Sequence, residues 1–158
     1  MTMGDKRESG DIRPIGIVRT SVTEGIDEGW GDVESRIEID PELADGLRGL
    51  DEFSHALVIF LMDRSSFQPA SNLVRRPQGR EDMPLIGIFA QRAKHRPNPI
   101  GITAVRIIGV QGTILRVRGL DAIDGTPVLD IKPYFPQFDA PADPQTPEWV
   151  ATLMERYF

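Results

Sequence analysis

IGITAVRIIGVQGTILRVRGL, Ile100 to Leu120, is the stretch that decides the fold. Two runs rich in β-branched residues flank Gln111 and Gly112, so the segment reads as an antiparallel hairpin. Upstream, IRPIGIVRT and ESRIEID carry β-branched, partly alternating strand patterns, and HALVIFLMD, His55 to Asp63, is an apolar run of central-strand length. LIGIFA and PVLDIKPYF add two more strands, while PELADGL, with Pro41 near its start, predicts one or two helical turns. TPEWVATLMERYF predicts a C-terminal helix with Thr146 as N-cap and Pro147 at its first position. Its face of Val150, Leu153, Met154 and Tyr157 would lie on the body. Many strands, few helices and no strand-helix-strand alternation disfavour a parallel doubly wound sheet. The expected fold is mainly β: an antiparallel barrel or sandwich with short peripheral helices and a C-terminal helix.

The 158 residues suit one domain, residues 11–158, behind a disordered tail at 1–10. Arg64 to Met83, punctuated by Pro69, Pro77 and Gly79, reads as the longest irregular connection, and loops of that length often carry function.

No apolar run approaches a membrane span and the polar N-terminus has no signal-peptide core, so the expected location is cytoplasmic, without membrane attachment. There is no cysteine and there are two isolated histidines, His55 and His95, which argues against metal chemistry. None of the common phosphate-loop, dinucleotide, nucleophile-elbow or zinc-protease signatures occurs. The net charge of −6 speaks against a polyanionic partner, but its distribution is uneven. Arg75 to Arg118 holds nine basic and two acidic residues, which leaves +7 there and −13 elsewhere. That segment reads either as solvated arginines on strand faces or as a local anion site.

Two segments combine strand patterns with Pro, Gly, Asp and Asn brackets: RPNPIG, Arg96 to Gly101, and DGTPVLDIKPY, Asp124 to Tyr134. GIFAQRAKHRPNPIGIT followed by GLDAIDGTPVLDIKPYFPQFD resembles the signature region of the TrmO family, also called YaeB-like or TsaA-like proteins, with its FATRS-x-x-RPNPIG and D-x-x-DGTP-V-x-DIKPY motifs. The resemblance extends more loosely from Ile12 to Asp139. It implies a homodimeric β-barrel methyltransferase dependent on S-adenosylmethionine. Its acceptor would be the N6 nitrogen of threonylcarbamoyladenosine beside the anticodon of tRNA, at position 37.

By the same resemblance, cofactor-binding positions fall on Phe89, Ala90, Gln91 and Arg92 of FAQR, on Ile102 after RPNPIG, and on Ile123, Asp124, Gly125 and Thr126 of the IDGT turn. Asp63 and Arg64 stand where a strand end of the family also meets the cofactor. Asp124 could accept from the cofactor's amino or hydroxyl groups, Gly125 would permit close backbone approach, and Thr126 would supply a hydroxyl. The plainer reading of DGTP alone is a structural turn. The sequence departs from the family in EGWGDVES, which replaces a P-R-Q-P-G loop, and in Gln91 and Ala93, which replace Thr and Ser. It also ends at Phe158, where longer members add a domain, so that domain's part in substrate selection is expected to be missing.

Lys94, His95 and Arg96 would face RNA phosphates or a base, with Asn98 holding the turn. Asp130, Lys132 and Tyr134 alternate on one strand face, so Lys132 and Tyr134 are candidate catalytic or substrate contacts; a solvated face explains them equally. His55 reads as a hydrogen-bonded residue at a strand entrance. Two other readings stand beside tRNA modification: a methyltransferase of the same family with another RNA or small-molecule acceptor, and a non-catalytic nucleotide- or RNA-binding barrel.

Overall fold

The hairpin opens at Ile100 and turns at Gly112 and Thr113, where Gln111 pairs with Ile114. Around it a computed structural model describes residues 11–158; the sequence-predicted tail at 1–10 lies outside the described residues. The main strands are β1 (Gly16–Arg19), β2 (Glu34–Ile39), β3 (His55–Leu61), β6 (Ile100–Gln111), β7 (Ile114–Arg118) and β8 (Pro127–Pro133). They close into a barrel in the order β1-β2-β7-β6-β3-β8, with every neighbour antiparallel. Closure pairs the first strand with the last and leaves no open edge, which selects the barrel over the sandwich.

Alternation explains which side chains fill it. Ser35, Ile37 and Ile39 of β2, Ala56, Val58 and Phe60 of β3, and Leu115 and Val117 of β7 point inward, each no more than 5 % exposed. Each large aliphatic among them contributes about 1.5–3 kcal/mol relative to exposure. Gly101 sits directly across from Phe60, and a Cβ there would meet the Phe60 ring at 2.5 Å. The glycine of RPNPIG is thus a packing requirement. Gly101→Ala is expected to lower stability by about 1–2 kcal/mol through overpacking, read as a lower denaturant midpoint at unchanged slope.

Three expectations are corrected. LIGIFA is not one strand: only Ile86–Gly87 (β5) is extended, and Ile88–Ala90 form a 3-10 turn. The connection from Arg64 to Met83 is not wholly irregular. It contains α1 (Pro69–Asn72) and β4 (Val74–Arg75), and β4 pairs with β5 as a separate two-stranded ribbon. After α2 (Pro136–Asp139), the last helix, α3 (Glu148–Met154), starts one residue later than predicted. Pro147, not Thr146, is its N-cap: its ψ of 151° is extended, and no side chain caps the end. Tyr157 lies beyond α3 altogether. PELADGL does form a helical turn, a 3-10 one, capped by the Asp40 carboxylate on the Glu42 N–H at 3.1 Å.

Candidate functional site at one end of the barrel

The barrel's closure brings the end of β3, the start of β6, the end of β1 and the start of β8 to one rim. The IDGT turn sits on that rim, pinned by backbone bonds from Asp124 N–H to Val22 (2.7 Å) and from Gly125 N–H to Val18 (2.8 Å). Gly125 has φ +83°, a conformation that a side chain would strain. Asp124 Oδ1 accepts from the Thr20 N–H at 3.2 Å, while Oδ2 has no protein partner among the described residues. The Thr126 hydroxyl does not face solvent: Thr126 is 4 % exposed and donates to the Ile123 carbonyl at 2.7 Å, which locks the turn.

Arg64 reaches this turn and Arg92 reaches the start of β6, each from a loop. A Cβ built on Gly125 would stand 3.9 Å from the Arg64 guanidinium, and Arg92 donates to the Ile102 carbonyl. Asp63, Arg64, Arg92 and Ile102 are all exposed. The rim therefore gathers two guanidiniums, a half-buried carboxylate, a glycine backbone and an exposed isoleucine. Beside it lies a cavity of about 440 Å³ whose lining includes Thr20, Ser35, Arg36 and Asp124.

The other residues singled out in the sequence take different places. Gln91 is a brace, 6 % exposed, donating to the carbonyls of Arg75 and Ile86 at 2.8 and 3.0 Å across the β4-β5 ribbon. Phe89 is 80 % exposed, with Ala90 beside it. Arg96 spends its guanidinium on its own loop, donating to the carbonyls of Gln91 and Ala93 at 2.8 and 3.2 Å. His95 Nδ1 lies 2.8 Å from the Ser66 carbonyl oxygen. The Asn98 carbonyl accepts from the Ile100 N–H at 2.7 Å, so Asn98 shapes the turn through its backbone. Lys94 is exposed, its ammonium over Gly25.

Lys132 and Tyr134 are not at this rim within one chain. They lie toward the far end of β8, and Lys132 is six residues, roughly 20 Å of strand, beyond Thr126. Lys132 pairs with Asp130 at 2.9 Å, a hydrogen bond that raises its pKa, and Tyr134 meets His55 edge-on at 6.2 Å. His55 Nδ1 is 2.7 Å from the Ser54 hydroxyl, the expected strand-entrance arrangement.

Sequence reasoning missed a second layer behind the rim. Asp121, three residues before Asp124, accepts from the Thr103 hydroxyl on one oxygen and from the Tyr157 hydroxyl on the other. The Tyr157 segment also accepts backbone bonds from Gly29 and Trp30, both 2.8 Å, and Trp30 is 2 % exposed. Asp121 thus ties the segment before the turn to β6 directly and to Gly29 and Trp30 through the Tyr157 segment. Its only trace in the sequence is an aspartate repeated near the D-G turn.

Burial, and then the Asp121 charge, push the Tyr157 phenol well above its ordinary range. The folded state holds that proton more tightly, so the stabilisation is complete below about pH 10 and declines as pH rises above it. Unfolding measured from pH 8 to 11 should show an alkaline loss that is smaller in Tyr157→Phe.

The chain is similar to several known proteins. The family model described as the tRNA-methyltransferase O N-terminal domain matches residues 27–140. A probable S-adenosyl-L-methionine-binding protein of Pyrococcus abyssi is 43 % identical over 132 residues, covering 80 % of this chain and 69 % of that protein. The human tRNA (adenine(37)-N6)-methyltransferase is 36 % identical over 115 residues, covering 73 % of this chain and 25 % of its own. A crystal structure of TrmO from Pseudomonas aeruginosa superposes with a TM-score of 0.69 at 33 % identity, covering 87 % of this chain and 61 % of that one. This chain spans less than two thirds of the last two. Among the described residues no group of three or more His, Cys, Asp or Glu side chains could hold a metal ion, and no helix is long and apolar enough to cross a membrane.

Proposed function

The chain belongs to the family of the tRNA-methyltransferase O N-terminal domain, and from that premise we propose that it transfers a methyl group from S-adenosylmethionine to N6 of threonylcarbamoyladenosine at position 37 of tRNA. The observation that carries the reading is the convergence of Arg64, Arg92, Ile102 and the Ile123–Gly125 turn on one barrel rim.

Those residues fit the cofactor. Asp124 Oδ2 is available to accept from hydroxyl or amino groups, and Gly125 presents bare backbone for close approach. Ile102 and Ile123 offer apolar surface to a flat ring, and Arg64 or Arg92 can pair with a carboxylate. Bound there, S-adenosylmethionine supplies an electrophilic methyl on a sulfonium centre. Such a transfer is an in-line displacement in which positioning and electrostatics do most of the work. The chain's part is to hold the turn, aim the two guanidiniums and leave the rim open to the acceptor base.

The protein acts as a homodimer. Leu73, Val74, Leu85 and Phe89 on and around the β4-β5 ribbon, with Ile100 beside them, expose an apolar face next to the rim, and a two-fold partner would cover it. Light scattering that finds only a 17.6 kDa species at micromolar concentration removes the dimer. Titration calorimetry tests the cofactor: one site per chain is expected, and no binding at millimolar S-adenosylmethionine removes the methyltransferase reading.

A further inference from the structure

Three arginines stand abreast on the barrel's outer face. Arg19 of β1 is directly opposite Arg36 of β2, and Arg36 is directly opposite Arg116 of β7. In the next row Arg118 of β7 lies opposite Arg106 of β6. Like charges directly opposite across strands are destabilising, and nothing in the packing requires them, because all five side chains point outward.

Neutralisation is partial. Glu38 meets Arg19 at 3.6 Å, and Glu34 meets Arg116 and Arg118 at 3.4 and 2.9 Å. The Arg118 hydrogen bond, ahead of the two arginines' charges, lowers the Glu34 pKa, so Glu34 is fully ionised at neutral pH. Two glutamates therefore face five arginines. Arg36, in the middle of the row, has no carboxylate within ion-pair distance among the described residues. The cavity of about 440 Å³ opens between Arg19, Arg36, Arg116 and Asp124, so the row continues to the rim of the cofactor turn.

We propose that this arginine row is the RNA-binding face: it binds the phosphodiester backbone that flanks the acceptor base. The inference rests on the RNA-acceptor reading above and names the surface that serves it. Neighbouring strands are about 4.8 Å apart, so the three arginines span about 10 Å and the second row widens the field. That extent suits successive phosphates better than a single carboxylate, and guanidinium forks match phosphate oxygens bidentately. It also lets a chain of net charge −6 hold a polyanion, because the attraction is local.

The test is tRNA binding by fluorescence anisotropy from about 50 to 200 mM salt, alongside cofactor calorimetry. Arg36→Ala with Arg116→Ala should weaken tRNA binding at least tenfold and make the log-log salt slope shallower by more than one unit, since each lost phosphate contact removes roughly 0.7–0.9. Cofactor binding should stay within twofold. Arg36→Lys should keep affinity within about threefold, whereas Arg36→Thr should weaken tRNA binding yet raise the thermal midpoint by relieving repulsion. Unchanged tRNA affinity and slope in the double variant overturn the proposal, as does equal competition by polyglutamate. A wild type that binds cofactor but no tRNA overturns this proposal and the tRNA acceptor while leaving the methyltransferase class standing. A wild type that binds tRNA but no cofactor does the reverse.

Discussion

Asp121→Ala is expected to lower stability by about 2–4 kcal/mol, because it leaves the Thr103 and Tyr157 hydroxyls without their acceptor, each loss worth about 1–3 kcal/mol. Thr103 is 7 % exposed, so little water can replace the carboxylate there. The same change frees the segment that leads into the IDGT turn, and cofactor affinity should fall with it. Asp121→Asn separates geometry from charge. Its amide oxygen still accepts, so stability should return at least halfway. A double-mutant cycle with Tyr157→Phe should show coupling, since both changes remove one shared hydrogen bond. Additive losses would mean that Tyr157 and Asp121 act independently.

Asp124→Ala should have the second large effect, and it falls on binding rather than folding. Its Oδ1 bond to Thr20 is backbone-supported on both sides, since Gly125 is held by Val18 and Asp124 itself by Val22. The turn should therefore survive. The ligand would lose a charged acceptor worth about 1–3 kcal/mol, or roughly 5- to 150-fold in affinity. Calorimetry on the folded variant reads this directly. Affinity equal to that of the wild type would take Asp124 out of the site while leaving the rim as the site.

The barrel was legible because its strands alternate, and the hairpin from Ile100 to Arg118 needs only local pattern and turn chemistry. Ile86 to Ala90 misled because a short apolar run looks the same as a strand or as a turn; only β4 decides how much of it is paired. Pro147 misled because its fixed φ suits a first helical position, but its extended ψ keeps it outside the helix.

At the rim, Arg92, Ile102 and the IDGT turn could be found from short motifs. Asp121 and Tyr157 could not, because their contact spans 36 residues and exists only once the chain has closed. The arginine row was half visible. Arg106, Arg116 and Arg118 belong to the +7 segment, but Arg19 and Arg36 lie in the remainder that carries −13 and join them only through strand register. Net charge along the chain pointed to the loop at Lys94–Arg96, whereas the fold turns Arg96 back on its own carbonyls.

The most direct test of methyl transfer to the tRNA base uses labelled S-adenosylmethionine, the purified protein and tRNA that carries threonylcarbamoyladenosine but lacks the added methyl. Nucleoside mass spectrometry after digestion should find the label on that adenosine and on no other nucleoside, and much less of it with Asp124→Ala. Bound cofactor with no label entering the tRNA at any enzyme concentration would contradict the account.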